Sequence, residues 1–391
     1  MSQVKLSKAD ARRLLAVHHF TPTTAHGVFE RFGSVQFDPL KPVGSNHDLV
    51  LQARVPDYKV DDWQKLAYEE RFVYDGWDKQ ASLVMMKDWP YRRIYHTWHE
   101  RGWRKDVLDS HPEVVEIVLN ELKRRGPLNS TAFEHQAHVE AWEGSWYGPK
   151  LTKNVLRALW HTGKVLTHSR KNGHHVYDLA ENIVPKKLLK AKPVNDKESL
   201  EFLLLLRHQA MGLLRPGASG EVWSFHIPGA ERRQFIEELV ARKKLIAVDV
   251  EGVKFHALPS ALKRLEEHLE PRMVFVAPLD QIIWDRKAVA HIFDFEYLWE
   301  VYVPEPKRKW GYYVLPVFYR DKFVARLDSR LSKGVWNIIS WTWEDKPTPE
   351  MFGALEDAVR KFRNYLGASS LQLPKGLDLK TKSAFKSGFT K

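Results

Sequence analysis

Apolar residues recur at helical spacing in two similar settings. Leu151, Val155, Leu159 and Trp160 make one stripe, and Gly163 stands where that helix would stop. Phe235, Ile236, Leu239 and Val240 make the other. Each stripe is followed by two short alternating runs. The first pair is joined by Asn172-Gly173 and the second, "LIAVDV" and "VKFHAL", by Glu251-Gly252. Such dipeptides between alternating runs predict hairpins. Asn129, Ser130 and Thr131 are capping residues upstream of the first stripe, and "SLEFLLLLRHQAMGLL" supplies a more buried helix before the second. The predicted order, helix, helix, hairpin, occurs twice and describes a winged helix.

The N-terminal part reads as a third, divergent copy. "SKADARRLLAVHHF" and "TAHGVFERFGS" predict helices, "VQFD" and "LVLQARV" extended segments, and "DDWQKLAYEERFVYDGW" a return to helix. Beyond about residue 271 the runs become short, aromatic and β-branched, as in "WGYYVLPVFYR" and "VWNIISWTWE". A helix over 349–366 carries Phe352, Leu355, Val359 and Phe362 on one side. The expected fold is α+β: tandem winged-helix units with a β-rich C-terminal portion. The expected divisions are 1–110, 111–190, 196–265 and 271–370, with a basic flexible tail at 371–391 and linkers near 104–112 and 184–198.

Composition narrows the function. Hydrophobic residues make up 43% and charged residues 28%, and the longest apolar candidate, "FLLLLR" at 202–207, falls far short of a membrane helix. The first fifteen residues lack the apolar core of a signal peptide, so a bacterial cytoplasmic location is expected. Cysteine is absent, which excludes disulfides, thiolate metal sites and cysteine nucleophiles. The formal net charge of +12 favours a polyanionic partner, because Lys and Arg release counterions from phosphate. The first hairpin adds His168, Arg170, Lys171, His174 and His175, which suit contact with phosphates or a groove, although for any single one of them a solvated hairpin tip is the plainer reading.

One stretch carries candidate chemistry. In "FGSVQFDPL", residues 32–40, an extended backbone would set Gln36 and Asp38 on one side and Phe37 on the other. A turn in which Asp38 caps amides beside Pro39 is the plainer alternative.

Four ordered stretches carry a family likeness: "FGSVQFDPL", "WDKQASLVMMKDWPYRR", "GSWYGPKLTKNVLRALWHTGKV" and "VAPLDQIIWDRKAVAHIFDFEYLWEVYVPEPKRKWGYYVLPV". With them the chain, over roughly residues 5–365, resembles the winged-helix DNA glycosylases of the AlkZ and YcaQ type. These bacterial enzymes remove N7-alkylated purines and unhook interstrand crosslinks. The resemblance implies three winged helices and a β-rich portion in a C shape around DNA. It implies Gln36 and Asp38 as the catalytic pair, corresponding to the family's Gln-x-Gln or Gln-x-Asp motif. Two places depart from some relatives: Ser45, His47 and Asp48 replace an Arg with a following His-His, and Lys79-Gln80-Ala81 replaces His-Glu-Ala. These positions bear on lesion preference.

An N7-alkylated base already carries positive charge and leaves readily. A carboxylate at position 38 would stabilise charge on the sugar and activate water, and an amide at position 36 would orient that water. An aspartate at its ordinary pKa would be ionised at neutral pH without tuning. Candidate DNA contacts are His47, Arg54, Arg170, Lys171, His174, Lys307, Arg308 and Lys309. No cofactor or metal is expected. The acidic group Asp280, Asp285, Asp294, Glu296 and Glu300 could suggest a metal nuclease, but pairing with Arg286, Lys287 and the 307–309 cluster is the preferred reading. His135 and His138 lack further ligands for zinc. The expected partner is damaged duplex DNA, bound by a monomer without a membrane. The competing reading is a non-catalytic winged-helix transcriptional regulator.

Overall fold

The computed structural model describes residues 3–133, 151–224 and 227–390, so His135 and His138 lie outside the described residues. The chain forms two compact units. One combines residues 1–63 with 204–391, and the other comprises residues 64–203.

The discontinuous unit starts with a strand, Val4–Leu6, and a helix, Lys8–Phe20. Ser7 and Asp10 form a reciprocal capping box at the start of that helix, which buries Ala11, Leu14 and Leu15. A second helix, Ala25–Phe32, is capped by Thr24 and stopped by Gly33. Gly33 has φ +71°, and a side chain there would meet Leu206. Glycine therefore turns the chain sharply into a buried strand, Ser34–Gln36.

A short helix, Gly220–Trp223, and a longer one, Gly229–Ala241, lead into the hairpin Ile246–Val250/Val253–Ala257. Glu251 and Gly252 both have positive φ at its turn. Val4–Leu6 joins this sheet in parallel with Ile246–Val250, so the first strand of the chain completes a hairpin from its middle. Val248, Val250 and Phe255 pack with Leu14 and Leu15 in one core.

A five-stranded sheet follows in the order Met273–Phe275, Val314–Tyr319, Lys322–Ser332, Val335–Trp343, Ser370–Gln372, with only the last pairing parallel. The helix Pro349–Leu366 lies against it, with Phe362 edge-on to Phe275 at 4.9 Å. The segment expected as a flexible tail is instead anchored: Leu379–Thr390 is a helix that buries Thr381, Ala384 and Phe385. The indole N–H of Trp343 donates to Thr381 at 2.9 Å.

The second unit holds the hairpin Val73–Trp77/Ala81–Met85 and the helices Trp89–His99, Trp103–Ser110 and Pro112–Arg125. The expected linker at 104–112 is thus mostly helical. Helix Leu151–His161 then leads to the hairpin Val165–Lys171/His174–Leu179, whose turn has positive φ at Asn172 and Gly173. Leu128–Asn129 adds a third strand to it.

Two N-terminal expectations fail. "LVLQARV" is largely helical, as part of Asn46–Gln52, and its Leu49, Val50 and Leu51 are all buried. A short, continuously buried apolar run looks alike as strand or helix. The helix expected over 61–77 shrinks to one wide π-type turn, Lys65–Glu69, before the strand Val73–Trp77.

Candidate active site

Gln36 ends the strand that leaves Gly33. Two buried side chains, Asn46 and Gln281, brace that strand. Asn46 donates its amide to the Gln36 carbonyl at 2.9 Å, and its own oxygen accepts the N–H of Leu279 at 3.0 Å. Gln281 donates to the Ser34 carbonyl at 2.7 Å. Asp280, between these two contacts in sequence, accepts both terminal nitrogens of Arg54 at 2.7 and 2.8 Å and caps Ile282. Arg54 also donates to the carbonyls of His19 and Val50. A bidentate pair without solvent exposure fixes geometry tightly, because either charge alone would be expensive to bury.

The Gln36 side chain is buried, yet its Oε1 accepts no hydrogen bond among the described residues. An idle buried acceptor costs about 1–3 kcal/mol, which a bound donor would recover. Asp38 lies just past the strand and is half-buried. Its Oδ1 accepts the Leu40 N–H at 2.9 Å, closing a turn over Pro39. No hydrogen-bond partner is found for its Oδ2 among the described residues. The turn reading therefore holds for one oxygen and leaves the other available. Burial raises the Asp38 pKa, and the Leu40 N–H opposes that shift. The expectation of an untuned carboxylate is corrected accordingly.

Phe37 is half-buried and stacks on His47 at 4.2 Å, with Trp63 edge-on at 5.8 Å. The sequence motif contained no sign of the aromatic wall around 38–48. Tyr313 is buried, its hydroxyl is 3.5 Å from the Leu40 carbonyl, and burial and then the Asp38 charge hold its pKa well above the usual range. Tyr365 places its hydroxyl where any side chain on Gly44, at φ +126°, would collide. Asp48 is wholly buried. Its Oδ1 accepts from the Tyr58 hydroxyl at 2.8 Å and the Asp61 N–H at 3.0 Å. Burial pushes Asp48 up to about 6.

A family model described as DNA glycosylase AlkZ-like matches residues 29–365, a span that contains the strand, its braces and the aromatic wall. The chain belongs to the AlkZ-like DNA glycosylase family. Its fold is similar to that of the Streptomyces sahachiroi DNA glycosylase AlkZ, with a TM-score of 0.63 at 15% identity, covering 95% of this chain and all of that one. As a DNA glycosylase it acts on DNA, and no described helix is long and apolar enough to cross a membrane.

The residues expected to touch DNA divide sharply in this glycosylase. Arg54 and His47 are buried, the first on Asp280 and the second against Phe37. Arg170 is nearly buried on Asp75, which also accepts from the Tyr68 hydroxyl at 2.7 Å. The guanidiniums of Arg54 and Arg170 are thus already paired with carboxylates inside the protein, and the His47 ring is packed on Phe37. Lys171, His174, Lys307 and Lys309 are exposed. Arg308 is intermediate; it donates to the Val303 carbonyl at 2.8 Å and lies over the Tyr312 ring.

The acidic group is dispersed, and most of it pairs elsewhere than expected, while Glu300 does meet the 307–309 cluster through the Lys309 N–H and the Arg308 charge. Asp280 pairs with Arg54, Asp285 with Arg215, and Asp294 with Lys8 and Arg12. Glu300 accepts three backbone N–H groups, from Lys309, Trp310 and Gly311.

Proposed function

We propose that this glycosylase hydrolyses the N-glycosidic bond of N7-alkylated purines in duplex DNA and leaves an intact abasic site. Opening of interstrand crosslinks through the same adduct chemistry belongs to the proposal. The observation that carries it is a pair of unused acceptors, Oε1 of Gln36 and Oδ2 of Asp38, on two residues of one braced segment.

A cationic purine needs little protonation to leave. The remaining work lies at the sugar, where positive charge develops and water must arrive. The Asp38 carboxylate faces that charge and takes the proton of the water. The amide oxygen of Gln36 accepts a hydrogen bond from the same water and sets its direction. A carboxylate raised by partial burial is a stronger base than one in free solvent. Water as nucleophile makes the enzyme monofunctional, with no Schiff base to trap. The commitment of Asp280, Asp285, Asp294 and Glu300 to protein partners supports catalysis without a metal.

The test is single-turnover release of N7-methylguanine from duplex DNA, with binding measured in parallel. Asp38→Asn keeps shape and acceptor capacity but removes charge; loss of a comparable group costs about 10²–10³ in rate. Excision should collapse while affinity stays near wild type, and Gln36→Ala should be slowed less. Wild-type excision by Asp38→Asn, or equal loss of binding and excision, would sink the assignment.

A further inference from the structure

Residues 297–313 form a closed loop at the edge of the aromatic wall. Tyr297 and Tyr313, its two ends, are buried, and the Tyr297 hydroxyl donates to the Val314 carbonyl at 2.7 Å. Inside the loop Glu300 is buried and gathers the N–H groups of Lys309, Trp310 and Gly311 at 2.7, 2.7 and 3.2 Å. The Arg308 bond to the Val303 carbonyl ties it once more. A loop with so many internal bonds holds its shape.

This shaped loop points apolar surface at water. Leu298 is 55% exposed and Tyr302 84% exposed, among few large hydrophobic residues so placed in the described chain. Trp299 stands edge-on to Tyr302 at 5.8 Å and to Tyr313 at 6.4 Å, linking the exposed ring to the residue beside Leu40. Lys307 and Lys309 follow the exposed pair in sequence within the same loop, the latter with its ammonium 4.9 Å from the Trp310 ring centre. Exposed Glu296 and Glu305 offset part of this charge. The loop therefore offers stacking surface with moderate positive charge, which matches bases more than phosphates.

We propose that Leu298 and Tyr302 are the apolar contacts of this enzyme with the base stack of duplex DNA next to the damaged nucleotide, with Lys307 and Lys309 on the adjoining phosphates. This rests on the reading of the chain as an excising enzyme for duplex lesions. The ring of Tyr302 lies against a base, and Leu298 fills the space beside it. The pair thereby registers the lesion against Asp38 through Trp299 and Tyr313.

The test uses the full chain and a duplex with one N7-methylguanine beside a 2-aminopurine. Wild type, the double variant Leu298→Ala/Tyr302→Ala, and Tyr302→Phe are compared for affinity, 2-aminopurine fluorescence and single-turnover excision. The double variant should lose about 10-fold in affinity for the damaged duplex, as expected for lost base stacking, and should fail to raise the fluorescence that wild type raises. Tyr302→Phe keeps the ring and should match wild type. The slope of affinity against salt should not change, because no cation is removed. Both side chains are exposed, so the variants should fold, as circular dichroism checks. Unchanged affinity and fluorescence in the double variant would overturn the proposal. So would a sedimentation mass that falls from dimer to monomer in that variant with DNA behaviour intact, because a second copy would then be the occupant. If wild type fails to release N7-methylguanine, the reaction assignment falls while affinity and fluorescence still judge the loop.

Discussion

The side-chain amide of Asn46 donates to the backbone carbonyl of Gln36, and the same side chain accepts from Leu279, 233 residues further along the chain. One buried residue thus couples the strand bearing Gln36 to the 277–285 segment. Asn46→Ala would leave two buried backbone groups unsatisfied, at about 1–3 kcal/mol each. The denaturant midpoint should fall, and excision should slow while affinity for damaged duplex holds. If Asn46 acts through Gln36, its effect on rate should largely vanish in a Gln36→Ala background. Additive losses in that double-mutant cycle would reduce Asn46 to a purely structural role.

On the proposed role of Asp38 as the base, its raised pKa should set the acid side of the pH profile. Only the carboxylate can take a proton, so excision should fall as pH drops through that pKa. The limb should lie above the ordinary carboxylate range, because burial disfavours the charged form. Single-turnover rates between pH ~4 and ~8 check this. The residual rate of Asp38→Asn should lack this limb.

Asp48 makes the opposite contribution to stability from that of a salt-bridged carboxylate. Its pKa rises from 3.8 to about 6 on folding. Between those values the folded protein holds a proton that the unfolded chain has released. Stability from this group is therefore full below 3.8 and lost as pH rises through about 6. Asp48→Asn can still accept from Tyr58 and Asp61, since both contacts use one oxygen. It should be more stable than wild type at neutral pH by on the order of 2–3 kcal/mol, with the gap closing toward pH ~4. Urea midpoints at both pH values test this, and a pH-independent gap would refute it.

Cations of similar appearance should behave differently. Arg54→Ala strands Asp280 in the core and should cost about 3–5 kcal/mol of stability. Lys171→Ala and Lys309→Ala should leave melting unchanged and flatten the salt dependence of DNA binding, each by a slope of about one. Thermal melts and salt titrations of the three variants separate the two groups.

Chelation should leave excision intact. Treatment with EDTA followed by the single-turnover assay gives the answer, and rescue by a divalent ion after loss would redirect attention to the carboxylates at 280–300.

Local signals were legible where structure is locally determined. The turns at Asn172-Gly173 and Glu251-Gly252, the helical stripe of 349–366 and the stop at Gly163 all follow from signals in neighbouring residues. Features that depend on distant partners were not legible. Arg54 looks like any surface cation until Asp280, 226 positions away, is placed beside it. "LVLQARV" is a helix because all its sides are covered, which periodicity does not encode. The tail looks polar, yet Thr381, Ala384 and Phe385 line one side at helical spacing and are buried. Gln36 and Asp38 drew attention through family resemblance; their spacing alone is a common turn.

The strand bearing Gln36 takes its bracing from residues 279–281, in a unit whose two parts are separated by residues 64–203. A ribosome working at about 5–20 residues per second would release position 281 roughly 12–50 s after position 36. Through that interval the nascent chain carries the motif without its supports, and Arg54 waits in water for its counter-charge. Synthesis halted before that point would yield a polypeptide that carries Gln36 and Asp38 without the braces that hold them. Interrupted translation therefore should not shed fragments that strip bases from the chromosome.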